Sequence, residues 1–438
     1  MASLEILRAE GASFADAARD IVMFTPRHRT HGAFLGKHVG IGGRRTIDLS
    51  GLDYLALGSD PVVKRILAES LAEHDCGIPG SEAIIQTVQS AELEQALAHY
   101  HFGQGAAITF TAGYGTNFSI MEALGLRTHS HFVRMHCSTH LSPRTADAPT
   151  IFFLDGDLHF SARHGIRLAR KIAPHTCFAH VFRTGDYEHL EQLLRRAADL
   201  HGRHAVRVIL SDTVDSATGR EFDVATLCAI AEAHDCVLYL DEAHAVGVIG
   251  PQGRGVAAKV EGFERYRERL VLMGTLTKVF CQPGGYVVLD DSRLAAMLKF
   301  CSPQHVFSAP IAPWIGNALV RILDLVAGPD GDARRARVRN CARLTGDALR
   351  AGGFDVIGAQ DTPILATPLR NPRVGAQVLE FMQQEGFVIS IFQGPLMPRG
   401  REVLRLAMRA DLSEEEIQAL ASALARCRDA LRFDRATE

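Results

Sequence analysis

Asp241-Glu242-Ala243-His244 places two carboxylates and an imidazole within four residues, directly after the apolar run 236–240. In an open parallel sheet, ligands bind beyond the carboxyl ends of strands. Asp241 and His244 are therefore expected at a crevice. Three chemistries fit that placement. A DEAH box of the helicase type needs a phosphate-cradling G-x-x-x-x-G-K-[ST] loop. The nearest string, Gly32…Gly36-Lys37-His38, has the wrong spacing and no hydroxyl. A second reading is a satisfied structural Asp/His pair. The third is a cofactor site, in which a carboxylate pairs with a protonated ring nitrogen and an imidazole lies near the ring substituents.

Three further strings bear on the choice. Lys278 follows Gly274-Thr275-Leu276-Thr277 and precedes the turn Gln282-Pro283-Gly284-Gly285. An isolated Lys is most often a solvated surface cation. Here Leu276, Val279 and Phe280 flank it, and partial burial would lower the ammonium pKa and favour imine chemistry. Thr111-Ala112-Gly113-Tyr114-Gly115-Thr116-Asn117 lies between a strand-like run and a helical pattern. Free amides at a helix start bind anions, and Gly permits close approach; an ordinary tight turn reads the same way. His159, in Asp157-Leu158-His159-Phe160-Ser161, opens another helical pattern. It suits either a helix-end residue or an imidazole lying flat on an aromatic cofactor.

The elements that would position these residues follow a repeating grammar. Short apolar runs (106–110, 150–154, 177–182, 206–210, 236–240) alternate with helical patterns (115–124, 159–172, 186–200, 223–235). Continuous apolar runs suit strands covered on both faces. The alternation predicts βαβ crossovers and a mostly parallel sheet, an α/β fold. Runs 270–273 and 286–289 flank the glycine turn. The first sixty residues read as a short helix, a loop and a hairpin-like stretch, and helical spacing follows over 61–73 and 90–100. Beyond about 305 come helices at 312–327, 335–351, 374–385 and 413–431, with strand candidates at 364–368, 388–391 and 403–407. The expected division is 1–60 as an N-terminal segment, 61–305 as a large cofactor-binding domain and 306–438 as a smaller α+β domain.

Bulk properties exclude several classes. The 438 residues are 47% hydrophobic and 22% charged, enough for a sizeable core. A formal net charge of −3 leaves no electrostatic footprint for nucleic acid. No apolar run reaches the eighteen residues of a membrane span, and the N-terminal stretch lacks a signal-peptide pattern. The nine Cys residues form no C-x-x-C pair, so reduced thiols and a cytoplasmic location are expected, with no metal site.

Each string alone is weak, but their order is specific: Gly-Tyr turn, His, Asp-x-x-His, Thr-x-x-Lys. With Gly-Pro-x-Gly-Arg-Gly at 250–255, the chain resembles the α-oxoamine synthases among the fold-type-I pyridoxal 5′-phosphate (PLP) enzymes, over about 46–431. The resemblance implies a fold-type-I PLP transferase acting as a homodimer. Lys278 would hold the cofactor as a Schiff base and later act as acid and base. Asp241 would keep the pyridine nitrogen protonated, His244 and Ser216 would contact the ring oxygen, and His159 would stack on the ring. Gly113, Tyr114 and Thr275 would contact the phosphate, and Arg405 would grip the amino-acid carboxylate. The implied reaction is decarboxylative condensation of an α-amino acid with an acyl thioester, giving an α-amino ketone and carbon dioxide.

The chain departs from the family pattern where substrates are read. Leu52 replaces an Asn, Glu82 an Arg, Ala91 a His, His164 an Asp and Ala309 a Thr. Glu82 in place of a cation disfavours a phosphate-rich CoA handle, which suggests an acyl carrier protein as donor. Two alternatives stay open. One is another PLP reaction on the same fold: transamination, simple decarboxylation or retro-aldol cleavage. The other is a non-catalytic partner subunit, against which the retained Lys278, Asp241 and both His residues argue.

Overall fold

The computed structural model describes residues 8–10, 36–41, 43–127, 148–202, 204–358, 361–394 and 397–435. The expected N-terminal helix falls largely outside them, as does Cys137. Two compact units divide the chain. One comprises Met1–Ser59, Ser216–Arg220 and Ala336–Glu438; the other comprises Asp60–Asp215 and Glu221–Arg335.

The first unit opens with a hairpin, β1 (His38–Ile41) antiparallel to β2 (Arg44–Asp48). The second unit begins with α1 (Pro61–Glu73), whose cap Asp60 accepts from the amides of Val62 and Val63. Helix α2 (Val88–Phe102) is capped by Thr87 and ends at left-handed Gly103. Then comes the expected alternation: β3 (Ala106–Phe110), α3 (Gly113–Leu126), β4 (Thr150–Asp155), α4 (Phe160–Ile172), β5 (Cys177–Phe182), α5 (Tyr187–His201), β6 (Val206–Asp212), α6 (Val224–Ala233) and β7 (Val237–Asp241). Strands β8 (Leu270–Thr275) and β9 (Gly285–Leu289) complete a seven-stranded sheet of order β3-β9-β8-β7-β6-β4-β5.

Five neighbouring strands, β5-β4-β6-β7-β8, run parallel. Strand β9 is antiparallel to both β3 and β8. Every residue of β4, β8 and β9 is buried, as helices on both faces require. Helices α3 and α4 pack closely because glycines face the contact. A Cβ on Gly165 would stand 2.3 Å from the Phe118 carbonyl oxygen, and one on Gly125 would stand 2.6 Å from Ala169 Cβ. That approach fixes two helix starts, at Gly113 and His159.

Helix α7 (Ser292–Cys301) has no counterpart in the sequence reading; Asp291 caps it through the amides of Arg293 and Leu294. A short helix, α8 (Pro303–Phe307), follows. Helix α9 (Pro313–Ala327) lies in this unit, although the sequence reading gives 306–335 to the C-terminal domain. Its face of Ile315, Ala318, Leu319, Ile322 and Leu323 is buried, and it packs against α1 and α2. Helix α10 (Pro329–Ala351) crosses the division.

In the first unit, β10 (Ile364–Pro368) is followed by α11 (Gly375–Gln384). The single strand expected over 388–391 is instead two: β11 (Phe387–Val388) and β12 (Ser390–Phe392). Strand β11 joins β2 in parallel, whereas β12 pairs antiparallel with β13 (Val403–Ala407). The chain changes sheets at Ile389, so one apolar run serves two ladders. Helix α12 (Glu414–Leu431) closes the fold behind a capping box of Ser413 and Glu416. Among the described residues no helix is long and apolar enough to cross a membrane, no three ligating side chains group as a metal site, and the eight cysteines form no disulfide.

Candidate active site

Seven of the nine predicted site residues lie in the second unit, at strand ends and helix starts. Asp241 ends β7 and is buried. One carboxylate oxygen accepts from the Ala243 amide at 3.0 Å, and the other accepts from the Asn117 side-chain amide at 2.7 Å. Across the ladder, Asp241 pairs in register with Asp212 of β6. Burial, and then the Asp241 charge, push the Asp212 carboxyl well above its ordinary range. The Asp212 oxygen accepts the His159 backbone N–H at 3.3 Å.

His159 is the N-cap of α4. Its Nδ1 lies 2.6 Å from Ser161 Oγ and accepts the Ser161 backbone N–H at 3.3 Å. Burial pushes the imidazole pKa down; the Asp241 charge opposes this and the Lys278 charge reinforces it. His159 thus senses both Asp241 and Lys278, which places the three in one electrostatic neighbourhood. His244 is buried three residues beyond Asp241.

Lys278 sits in the connection between β8 and β9, which folds back on itself. The Leu276 amide donates to Gly284 O at 3.0 Å, Gln282 N to Leu276 O at 3.0 Å, and Cys281 N to Lys278 O at 3.2 Å. Gly284 adopts φ +140°, and a Cβ there would meet Leu276 Cδ1 at 2.8 Å. The turn therefore needs glycine. Buried Leu276, Val279 and Phe280 leave Lys278 only partly exposed. Thr275 Oγ lies 3.0 Å from Thr277 Oγ and donates to Gly284 O at 3.2 Å.

Gly113 opens α3, and a Cβ on it would stand 2.9 Å from Thr275 Oγ. Ala112 supplies no side-chain cap, so the first amides of α3 lack the partner a Ser or Asp would give. Tyr114, about half exposed, pairs its hydroxyl with His164 Nδ1 at 2.6 Å. His164 stands where the family pattern has Asp, so that substitution is tied to Tyr114.

Ser216 and Arg405 belong to the first unit. The Arg405 guanidinium is buried over the Phe392 ring, 4.6 Å from its centroid. It donates to Ser216 O at 3.0 Å, and to Ser50 O and Ser390 Oγ at 3.3 Å. A surface edge-strand cation is thereby ruled out for Arg405.

Three residues take a place at the site to which the sequence assigns no role, although Asn117 and Ser161 lie within the strings singled out there. Asn117, Ser161 and Tyr239 are fully buried around Asp241 and His159. Glu242 is also buried, and its role is structural. Val256 N donates to it at 3.0 Å, Ala257 N at 2.8 Å and Thr213 Oγ at 2.7 Å. The 250–255 glycine string exists to make that wrap: Gly255 has φ +104°, and a Cβ on it would stand 2.6 Å from the Glu242 carboxyl carbon. Glu82 also differs from expectation. It is buried, accepts from Ser90 Oγ, and lies 3.9 Å from His305 Nδ1.

A sheet with a buried carboxylate, a capping imidazole and a loop lysine at its strand ends defines an α/β transferase of the fold-type-I class. The chain matches the aminotransferase class I and II family model over residues 169–424. It is 30% identical over 387 residues to a Magnetococcus marinus protein assigned as an 8-amino-7-oxononanoate synthase, covering 88% of this chain and 89% of that one. An 8-amino-7-oxononanoate synthase from Geobacter sulfurreducens is 29% identical, with 91% and 93% covered. Among solved structures, SPT with its PLP internal aldimine superposes with a TM-score of 0.82 at 23% identity, covering 99% of both chains. The chain belongs to the aminotransferase class I and II family, in its α-oxoamine synthase group.

Proposed function

We propose that this protein is a PLP-dependent C-acyltransferase. It condenses an α-amino acid with an acyl thioester and releases carbon dioxide, a thiol and an α-amino ketone. The observation that carries the reading is the buried Asp241 carboxylate at the end of β7, sharing an electrostatic neighbourhood with His159 and Lys278. The residues present fit the cofactor. A buried anion suits a pyridinium, an uncapped helix start beside Thr275 suits a phosphate, and a part-buried lysine suits an aldehyde.

PLP bound there supplies an electron sink for the charge left on the amino-acid α-carbon. The chain supplies the rest. Asp241 keeps the ring nitrogen protonated by charge pairing. His159 would pack against the ring, and His244 and Ser216 would hold the ring oxygen. Gly113, Tyr114 and Thr275 hold the phosphate. Lys278 carries the cofactor and moves a proton at the α-carbon. Arg405 grips the substrate carboxylate with its planar fork. The relatives' names favour this reaction over transamination, simple decarboxylation or retro-aldol cleavage.

The enzyme acts as a homodimer in the cytoplasm. Ile84, Ile85, Val88 and Phe307, each more than 60% exposed, supply apolar surface for a second copy. A carrier-protein donor now lacks its motive, because the Glu82 carboxylate is turned onto Ser90 and His305. The test is carbon dioxide release from a panel of amino acids, with and without acyl-CoA or acyl-carrier donors. Release that requires a thioester supports the reading. Release without one, or keto-acid formation, sinks it.

A further inference from the structure

Asn117 on α3 spends all of its amide on three neighbours. Its NH₂ donates to Asp241 Oδ2 at 2.7 Å and to Ser161 Oγ at 3.0 Å. Its carbonyl oxygen accepts the Tyr239 hydroxyl at 2.6 Å. Asn117, Ser161 and Tyr239 are at most 1% exposed, and Asp241 is 6% exposed. An amide can be built in either of two orientations, but here the choice is forced. The reversed orientation would put a carbonyl oxygen against a buried carboxylate.

The forced orientation propagates. Because Ser161 Oγ accepts from Asn117, its own hydrogen is free to point at the other close partner, His159 Nδ1, at 2.6 Å. The Ser161 backbone N–H also points at that nitrogen. Nδ1 therefore faces two donors and must present a lone pair. The ring hydrogen belongs on Nε2.

We propose that the Asp241 charge fixes the His159 tautomer through Asn117 and Ser161, holding His159 neutral with its proton on Nε2. A single buried network thereby serves both faces of the chemistry. It anchors the anion that would keep a bound ring nitrogen cationic, and it denies a positive charge to the imidazole that would neighbour that ring. Two cations in contact in a site of low dielectric would repel strongly. Asn117, Ser161 and Tyr239 are positioning residues. The tautomer stands on the hydrogen bonds alone; its benefit to the cofactor rests on the proposed PLP chemistry.

The experiment is ¹⁵N spectroscopy on the purified holoenzyme labelled at histidine nitrogens. The His159 signals are identified by their loss in His159→Asn and, independently, in His159→Gln. The wild type is expected to show a pyridine-type Nδ1 and a pyrrole-type Nε2 for this residue. Asp241→Asn removes the charge that forces the amide, so the proton is expected to move toward Nδ1. Ser161→Ala is expected to give a mixture, and Ser161→Thr to restore the wild-type pattern. A pyrrole-type Nδ1 in the wild type overturns the proposal. So does a pattern unmoved by Asp241→Asn and Ser161→Ala in variants whose circular dichroism is native. Because none of these readouts is turnover, a failed synthase assay leaves the tautomer result standing, and the reverse also holds.

Discussion

Replacing Glu242 by Gln should abolish the pH dependence of stability at one buried site. Three donors hold the carboxylate, yet burial dominates and pushes its pKa from 4.5 up to about 7. Below pH 4.5 the group is protonated in both folded and unfolded chains. Between 4.5 and about 7 the unfolded chain releases its proton while the folded chain keeps it. The unfolded state then binds fewer protons, so stability falls as pH rises through this window. At about 1.4 kcal/mol per pH unit, the loss totals about 3 kcal/mol. A Gln cannot titrate, so this loss vanishes in the variant. At pH 5 Glu242→Gln should be the less stable protein by about 1–3 kcal/mol, because its NH₂ faces one of the backbone donors. By pH 8 the difference should have moved about 3 kcal/mol in favour of Gln. Urea unfolding followed by tryptophan fluorescence reads this directly, since the chain's one tryptophan, Trp314, lies in the unit that holds Glu242. Subtracting variant from wild type cancels every other titrating group. If the offset between the two proteins changes by less than about 1 kcal/mol from pH 5 to 8, burial does not dominate at Glu242 and the reasoning is wrong.

Lys299 Nζ sits 2.5 Å from the buried Glu94 carboxylate, which also accepts from Gln86 at 3.0 Å and the Thr109 amide at 3.1 Å. Lys299→Met should cost about 3–5 kcal/mol by stranding that charge, and adding Glu94→Gln should recover most of the loss in a double-mutant cycle. Lys278→Ala should abolish borohydride-trapped labelling by PLP and lower turnover by about 10²–10⁴-fold, measured by carbon dioxide release. Arg405→Lys should raise the amino-acid KM roughly tenfold with a smaller effect on kcat, since an ammonium lacks the bidentate fork; an unchanged KM in steady-state kinetics would remove Arg405 from the carboxylate site.

What could be read in the sequence was what periodicity and local chemistry encode. Continuous apolar runs announced β3 to β7, and the placement of Asp241 at a strand end followed from the parallel sheet. His159 and Lys278 were found because each lies beside a recognisable helix start or glycine turn. Asn117 carried no such signal: an Asn in the first turns of α3 looks like any polar helix residue, and only tertiary packing brings Tyr239, Ser161 and Asp241 to it. Glu82 was misread for a related reason. A charge change in sequence does not say which way the side chain faces, and its partner His305 is more than two hundred residues distant. The strand over 388–391 failed because one apolar run can feed two ladders when neighbouring strands diverge at a single residue.

The strings that made the chain recognisable divide unevenly between chemistry and support. Of Asp241-Glu242-Ala243-His244, Glu242 turns away from the reacting groups and into the glycine loop. Gly250-Pro251-Gln252-Gly253-Arg254-Gly255 then needs its glycines for close approach: at 250 a Cβ would stand 2.2 Å from Gly255 O, and at 253 it would stand 2.7 Å from Gly247 O. Neither string could change alone, because an added side chain would meet backbone or the buried carboxyl. The loop and Glu242 together pin the residue after Asp241, and the Glu242 amide donates to Met273 O of β8 at 2.8 Å. The end of β7 is thus tied to the strand that leads to Lys278. The motif that identifies the family is, in large part, the clamp that sets the spacing between its carboxylate and its lysine.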